Sequence, residues 1–201
     1  MADTDQSAEA LKGVGPDAFH RHKTAVLVID ILGDPYASQA SGLAVPATEN
    51  AAKICQAARA AGMPVIFCDD AHIPGLDREL ELWGEHALKG TPEAQPSPQL
   101  GQCAQDYVIE KRRYSAFFQT GLRLLLQELD VDTVIALGTD TNICVRHTVA
   151  DAYFNNLNII VATDATWSFL VGNQGEGLPY MEVCYGAKLA DTATLVTLLQ
   201  Q

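Results

Sequence analysis

Positive charge is scarce in this chain. Over 201 residues, 13 Lys and Arg stand against 25 Asp and Glu, a formal net charge of −12. Nucleic acid is a poor partner for such a surface, because phosphate binding needs a basic face. No apolar run approaches the length of a membrane-spanning helix. The first residues, MADTDQSAEALKGVGPD, are acidic and lack the apolar core of a secretory signal. Paired cysteines are missing too. The five cysteines (Cys55, Cys68, Cys103, Cys144, Cys184) are an odd number, widely spaced, with no C-x-x-C unit. Neither a disulfide framework nor a thiolate zinc site is signalled, and a cytoplasmic location is expected. Neither G-x-G-x-x-G nor a P-loop follows the first apolar run, which argues against a nucleotide-binding module.

What is present is apolar: 48% of the residues are hydrophobic, enough for a substantial core in one domain. TAVLVID (24–30), MPVIFCDD (63–70), DYVIEK (106–111), DTVIALG (132–138) and LNIIVATD (157–164) are short runs rich in Val and Ile. They read as strands covered on both faces, with AKLA (187–190) as a weaker edge strand. Helical patterns lie at 47–62, at 120–129 with Thr120 as N-cap, at 144–156 and from Thr192 onward. Such alternation predicts a three-layer α/β/α, Rossmann-like fold with a mostly parallel six-stranded sheet. Residues 1–20 read as a flexible tail and 21–201 as one domain. Within it, residues 71–105 carry four prolines and four glycines with little periodicity, as expected of a functional lid.

Ligands of open parallel sheets bind at the carboxyl ends of the strands. The apolar runs stop there at Asp30, at Asp69 and Asp70, at Lys111, and at the turn leading to Cys144. A carboxylate, an ammonium and a thiol on one edge can form a nucleophilic site. A strand-to-helix turn would also favour the thiolate through the helix N-terminus. Each residue alone has a plainer reading: Asp30 as a cap, Lys111 as a solvated charge, Cys144 as core packing.

GTDTNICVRHTVADAYF (138–154), VIEKRRYSAF (108–117) and AVLVIDI (25–31) resemble, in order, three motifs of the isochorismatase-like cysteine hydrolases. That family includes nicotinamidases and related amidohydrolases. The resemblance implies strand order 3-2-1-4-5-6 and an Asp30–Lys111–Cys144 triad that cleaves a small amide through a thioester. It also implies a cis peptide at Thr139–Asp140, with an oxyanion hole from the backbone N–H groups of Asp140 and Cys144. Lys111 would start two strand spacings, about 10 Å, from the first strand and must lean inward. DAH (70–72) and WGEHALKGTPEA (83–94) resemble the nicotinamidase metal segment. Asp70, His72 and His86 would hold one divalent ion, zinc foremost, or manganese or iron. Asp69 is an alternative carboxylate, and without an ion the histidines would be lid residues.

The family's D-x-Q-N-D-F pattern is replaced by DILGDPY (30–36), with Leu32 and Pro35 at the glutamine and phenylalanine positions. Tyr36 or Trp83 would then supply the aromatic wall, and nicotinamide loses support as substrate. Retention of Cys144 favours amide chemistry over vinyl-ether cleavage. A small-molecule amide as partner and a homo-oligomeric assembly are expected. A catalytically silent homologue or thiol sensor is the competing reading.

Overall fold

In a computed structural model of the protein, which describes residues 21–36 and 41–200, all six apolar runs form strands of one sheet. They are β1 (Thr24–Ile29), β2 (Val65–Asp70), β3 (Tyr107–Lys111), β4 (Thr133–Thr139), β5 (Asn158–Trp167) and β6 (Lys188–Ala190). Their order is β3-β2-β1-β4-β5-β6, and every pairing is parallel. The helices are α1 (Ser41–Ala60), α2 (Glu79–Trp83), α3 (Leu122–Glu128), α4 (Arg146–Phe154), α5 (Gln174–Tyr185) and α6 (Thr192–Leu199). The tail expected at 1–20 lies outside the described residues.

The unbroken apolar runs follow from two packed faces. Along β1, Val26 and Val28 join a core with Ala47, Ala51 and Ile54 of α1 and Leu195 of α6. Ala25, Leu27 and Ile29 face the other way, towards Leu122 and Leu126 of α3, Val149 of α4 and Met181 of α5. Each Val, Leu, Ile or Met side chain among them contributes about 1.5–3 kcal/mol on full burial. Among the described residues no helix is long and apolar enough to cross a membrane.

Four local expectations are corrected. α1 begins at residue 41 rather than 47, with Pro46 inside it. A proline that near the start removes only one helical donor. Thr120 is not the N-cap of α3: it stands one residue before the cap, Gly121, and its Oγ1 accepts from Leu122 N at 3.2 Å. β3 is not covered on both faces: Tyr107 and Val108 are 38% and 52% exposed, because β3 is an edge strand. β5 runs three residues past the expected 164, after a register shift in which its partners on β4 pass from Ala136↔Val161 to Gly138↔Thr166. The irregular segment 71–105 is tied down over the sheet edge. His72 N donates to Ala87 O at 3.0 Å, Lys89 N to His72 O at 2.9 Å and Ser97 N to Ile31 O at 2.8 Å.

β1 and β4 leave no room for a side chain at Gly138. Gly138 has φ 126°, and a Cβ there would lie 1.9 Å from the Ile29 carbonyl oxygen. Gly138→Ala should therefore part these two strands beside the sheet's reactive edge. We expect a loss of about 3 kcal/mol or more in urea unfolding, combining a backbone clash with an unfavourable φ. A loss below about 1 kcal/mol would show that the strands relax freely.

Candidate active site

Beyond Ile29, Asp30 adopts a left-handed backbone, φ 50°, which aspartate tolerates better than most residues. The turn delivers its carboxylate to two partners. Oδ1 accepts from Asp70 N at 2.8 Å, and Oδ2 lies 2.6 Å from Lys111 Nζ. Lys111 closes β3 opposite Asp70 in the register. Its side chain crosses Asp70, meeting Oδ1 at 2.6 Å, and continues to Asp30. The inward lean required by the strand order is thus met, and the lysine side chain is fully buried.

Cys144 lies in a wide turn, Thr141–Val145, between β4 and α4. Val145 N and Ile143 N both donate to Asp140 O, at 3.1 and 3.0 Å; i→i+5 turns of this kind recur at functional sites. Its sulfur and one oxygen each of Asp30 and Asp70 lie within 4.8 Å of one another. The predicted triad residues are therefore together. The Thr139–Asp140 peptide is cis, as the resemblance implied.

The electrostatics depart from the expected thiolate. Burial, and then the neighbouring Asp30 charge, push the Cys144 thiol well above its usual range. α4 starts only two residues later, and the thiol is 7% exposed, so desolvation dominates. Burial and the Asp70 charge likewise raise Asp30 to about 6, with Lys111 opposing them. Asp70 goes the other way: against the cost of burial, Lys111 and His72 hold it below the ordinary carboxylate range.

Asp30, Asp70 and Cys144 line a cavity of about 540 Å³, with Lys111 buried behind the two carboxylates. Trp83, Tyr114, Trp167 and Phe169 supply aromatic surface, and Trp83 Nε1 donates to Tyr114 Oη at 3.0 Å. Tyr36 does not line it. Its N–H donates to Asp34 Oδ1 at 2.9 Å, a tight turn that leaves the ring 59% exposed while Pro35 faces the cavity. Trp167 escaped the sequence reading because β5 was expected to end before it. The Asp140 carboxylate is structural: it accepts from Asn142 N, Phe169 N and Leu170 N at 2.8, 2.8 and 2.9 Å. It thereby pins the loop after β5 to the nucleophile's turn.

Asp70, His72 and His86 also converge, joined by Glu79, which the sequence reading missed; their ligand atoms lie within 4.8 Å of one another. The acidic run of α2 was its only signal. His72 is fully buried, with neither ring nitrogen hydrogen-bonded. Its Nε2 stands 3.7 Å from Asp70 Oδ2 and 4.0 Å from Glu79 Oε1. On its other side, Nδ1 is 3.4 Å from Asp77 Oδ2. His86 Nδ1 contacts Gly84 O at 2.8 Å, which leaves Nε2 for the cluster. An unpartnered imidazole nitrogen between two carboxylates suits a divalent cation. Asp69 faces elsewhere, and both its oxygens are buried without a hydrogen bond.

An isochorismatase-domain family model matches residues 24–194. Ureidoacrylate amidohydrolase RutB of Serratia proteamaculans is 30% identical over 178 residues, 74% of this chain and 71% of that protein. Nicotinamidase 3 of Arabidopsis thaliana is 32% identical over 150 residues, 72% of this chain and 73% of its own length. Among solved structures, N-carbamoylsarcosine amidase from Thermoplasma acidophilum superposes with a TM-score of 0.77 at 34% identity, covering 85% of this chain and 96% of the other.

Lys111 makes a prediction about stability. Lys111→Met leaves Asp30 and Asp70 facing each other in the core without a countercharge, which should cost about 3–5 kcal/mol at pH 8. The two carboxylates would then titrate above their unfolded values. The penalty is present where the unfolded chain is ionised and shrinks as pH falls through the raised folded values. Urea unfolding at pH 8 and pH 5 should thus show a wider gap from wild type at the higher pH; an equal gap would refute the ion-pair account.

Proposed function

The chain belongs to the isochorismatase family and is an amidohydrolase of that family, and from that premise we propose that it hydrolyses the C–N bond of a small linear amide through a thioester on Cys144. The observation that carries this reading is the Lys111-paired Asp30 carboxylate beside a buried thiol at the floor of an aromatic cavity.

In this mechanism Asp30 accepts the Cys144 proton as sulfur attacks the amide carbon. The carbonyl oxygen becomes an oxyanion, received by the backbone N–H groups of Asp140 and Cys144; one such donor is worth about 3–4 kcal/mol. As the C–N bond breaks, Asp30 returns the proton to the leaving nitrogen, and ammonia or amine departs. Water then gives a proton to Asp30 and its oxygen to the thioester carbon. Collapse releases the carboxylic acid and restores the thiol. Lys111 keeps Asp30 within reach of ionisation throughout. A thiol sensor is the weaker reading, since sensing cysteines are exposed and acidic, whereas this thiol is buried and its pKa raised.

Asp70, His72, Glu79 and His86 are the residues that would hold a divalent ion, with Asp77 fixing the ring of His72. The ion would supply Lewis acidity and a template beside Cys144.

Cys144→Ala should abolish turnover of any amide found by screening for ammonia release, while the fold and substrate binding persist. Asp30 must be ionised to act as base. For wild type, kcat/KM should therefore fall below about pH 6, in line with an Asp30 value of about 6. Near-wild-type turnover by Cys144→Ala, or a rate that rises into acid, would reject the mechanism.

The metal reading has its own test. Protein stripped with chelator and titrated with zinc should take up about one equivalent, and His72→Ala or Glu79→Gln should weaken binding at least about tenfold. Uptake below about a tenth of an equivalent with zinc, manganese and iron alike would leave the four residues as a lid cluster.

A further inference from the structure

The sign of the charge around the cavity carries an inference about what enters it. Among the described residues that line it, none is a lysine or arginine, whereas Glu79, Glu85 and Glu93 join Asp30, Asp70 and Asp140. Residues 37–40, which follow Tyr36 in the sequence, are Ala-Ser-Gln-Ala and carry no charge. Lys111 does not offset this, because both catalytic-floor carboxylates hold its ammonium at 2.6 Å and none of its side chain is exposed. Arg112 and Arg113, next to Lys111 and Tyr114 in sequence, are both engaged by Asp77, with Arg112 Nε 2.9 Å and Arg113 Nη1 3.7 Å from its Oδ1. Arg78, beside Glu79, is not among the lining residues. Asp140 spends its oxygens on backbone donors. Were a divalent ion to sit among Asp70, His72, Glu79 and His86, its two charges would be matched by Asp70 and Glu79. Glu85 and Glu93 would remain uncompensated in either case.

We infer that the cavity selects amides without negative charge, and excludes those bearing a carboxylate or phosphate. The inference rests on the hydrolase reading above and narrows it to a substrate class. An anion entering would meet carboxylates at the rim and floor with no lysine or arginine among the described lining residues to receive it. Low-dielectric walls concentrate that field. The aromatic faces of Trp83, Trp167 and Tyr114 suit an uncharged flat body or a cation.

Cys144 itself reports the field, whatever the natural substrate. The test uses the full chain with the two exposed cysteines replaced (Cys103→Ser, Cys184→Ser), since Cys55 and Cys68 are buried. Alkylation by iodoacetamide and by iodoacetate is followed at pH 8 and low salt, with the label located by mass spectrometry. Each rate is divided by that of free cysteine with the same reagent. The uncharged reagent should label Cys144 faster by about tenfold or more, as expected for several uncompensated charges in a cleft. Adding Glu85→Gln with Glu93→Gln, or raising salt to about 0.5 M, should shrink the preference to about threefold or less. A normalised iodoacetate rate equal to or above that of iodoacetamide overturns the inference. Should neither reagent react with the protonated thiol, quenching of Trp83 and Trp167, both in the cavity wall, decides. Uncharged acrylamide should quench more than iodide by a margin that high salt or the double substitution shrinks, and a margin unmoved by either overturns the inference. A preference unchanged by the double substitution removes the rim from the argument and overturns its part. Absence of all amide turnover with the preference intact would instead reject the hydrolase reading and leave the charge selection standing.

Discussion

One buried ammonium organises the reactive edge of this protein. Lys111 enters from an edge strand, crosses β2, and places its charge 2.6 Å from both Asp70 and Asp30. Removing such a group from water costs several kcal/mol per ion, recovered only with close opposite charges. The carboxylates need the lysine equally, since two neighbouring acids cannot both ionise in a dry site without a cation. The three side chains therefore exist as a set. Their positions are fixed by parallel register, which sets Asp70 opposite Lys111, and by the left-handed turn at Asp30.

The rest of the site is attached to that set by backbone contacts. β1 and β4 approach closely enough at Gly138 that no side chain fits. This brings the nucleophile's turn beside the carboxylates at the point where the sheet order reverses. Asp140 and Asn142 then tie that turn to the loop after β5. Asn142 Nδ2 donates to Ser168 Oγ at 2.9 Å and Val171 O at 2.7 Å, and Asp140 receives the amides of Phe169 and Leu170. Phe169 and Leu170 line the cavity. A shift in either wall is thereby felt at the sulfur.

Strand order and the cis peptide were implied by the family resemblance, and the convergence of Asp30, Lys111 and Cys144 on one edge was legible from the local sequence as well. Runs of Val and Ile end in a chemically distinct residue, and the segment around Cys144 carries a dense motif. What was not legible depends on long-range geometry. Exposure of β3 follows from its place in the sheet, which its own residues do not encode. Trp167 entered the cavity through a register shift that adds residues without changing composition. Tyr36 and Pro35 are adjacent, and a single turn at Asp34 decides which of them faces in. Glu79 lies in a short helix whose acidic residues look alike in sequence; burial singles it out, raising it to about 7 through desolvation and then the Asp70 charge.

The missed expectation about the thiol is the most informative, because it changes how the proposed mechanism makes its nucleophile. A helix N-terminus would stabilise a standing thiolate. Here, burial and Asp30 keep sulfur protonated. Loss of that proton to solvent would add a second uncompensated charge to a dry site already holding Asp70 and Asp30 against one lysine. Transfer to Asp30 adds none: the carboxylate becomes neutral as sulfur becomes negative, and Lys111 serves either anion. Asp30, near 6, is ionised at neutral pH yet close enough to protonation to accept the proton when an electrophile arrives. Burial first and the Asp30 charge second push the neighbouring Asp69 carboxyl well above the ordinary carboxylate range, in the direction that disfavours a further anion. In the proposed mechanism the site thus conserves its buried charge through the first chemical step. Such a step requires only that the amide carbon be in place, which ties formation of the nucleophile to occupancy of the cavity.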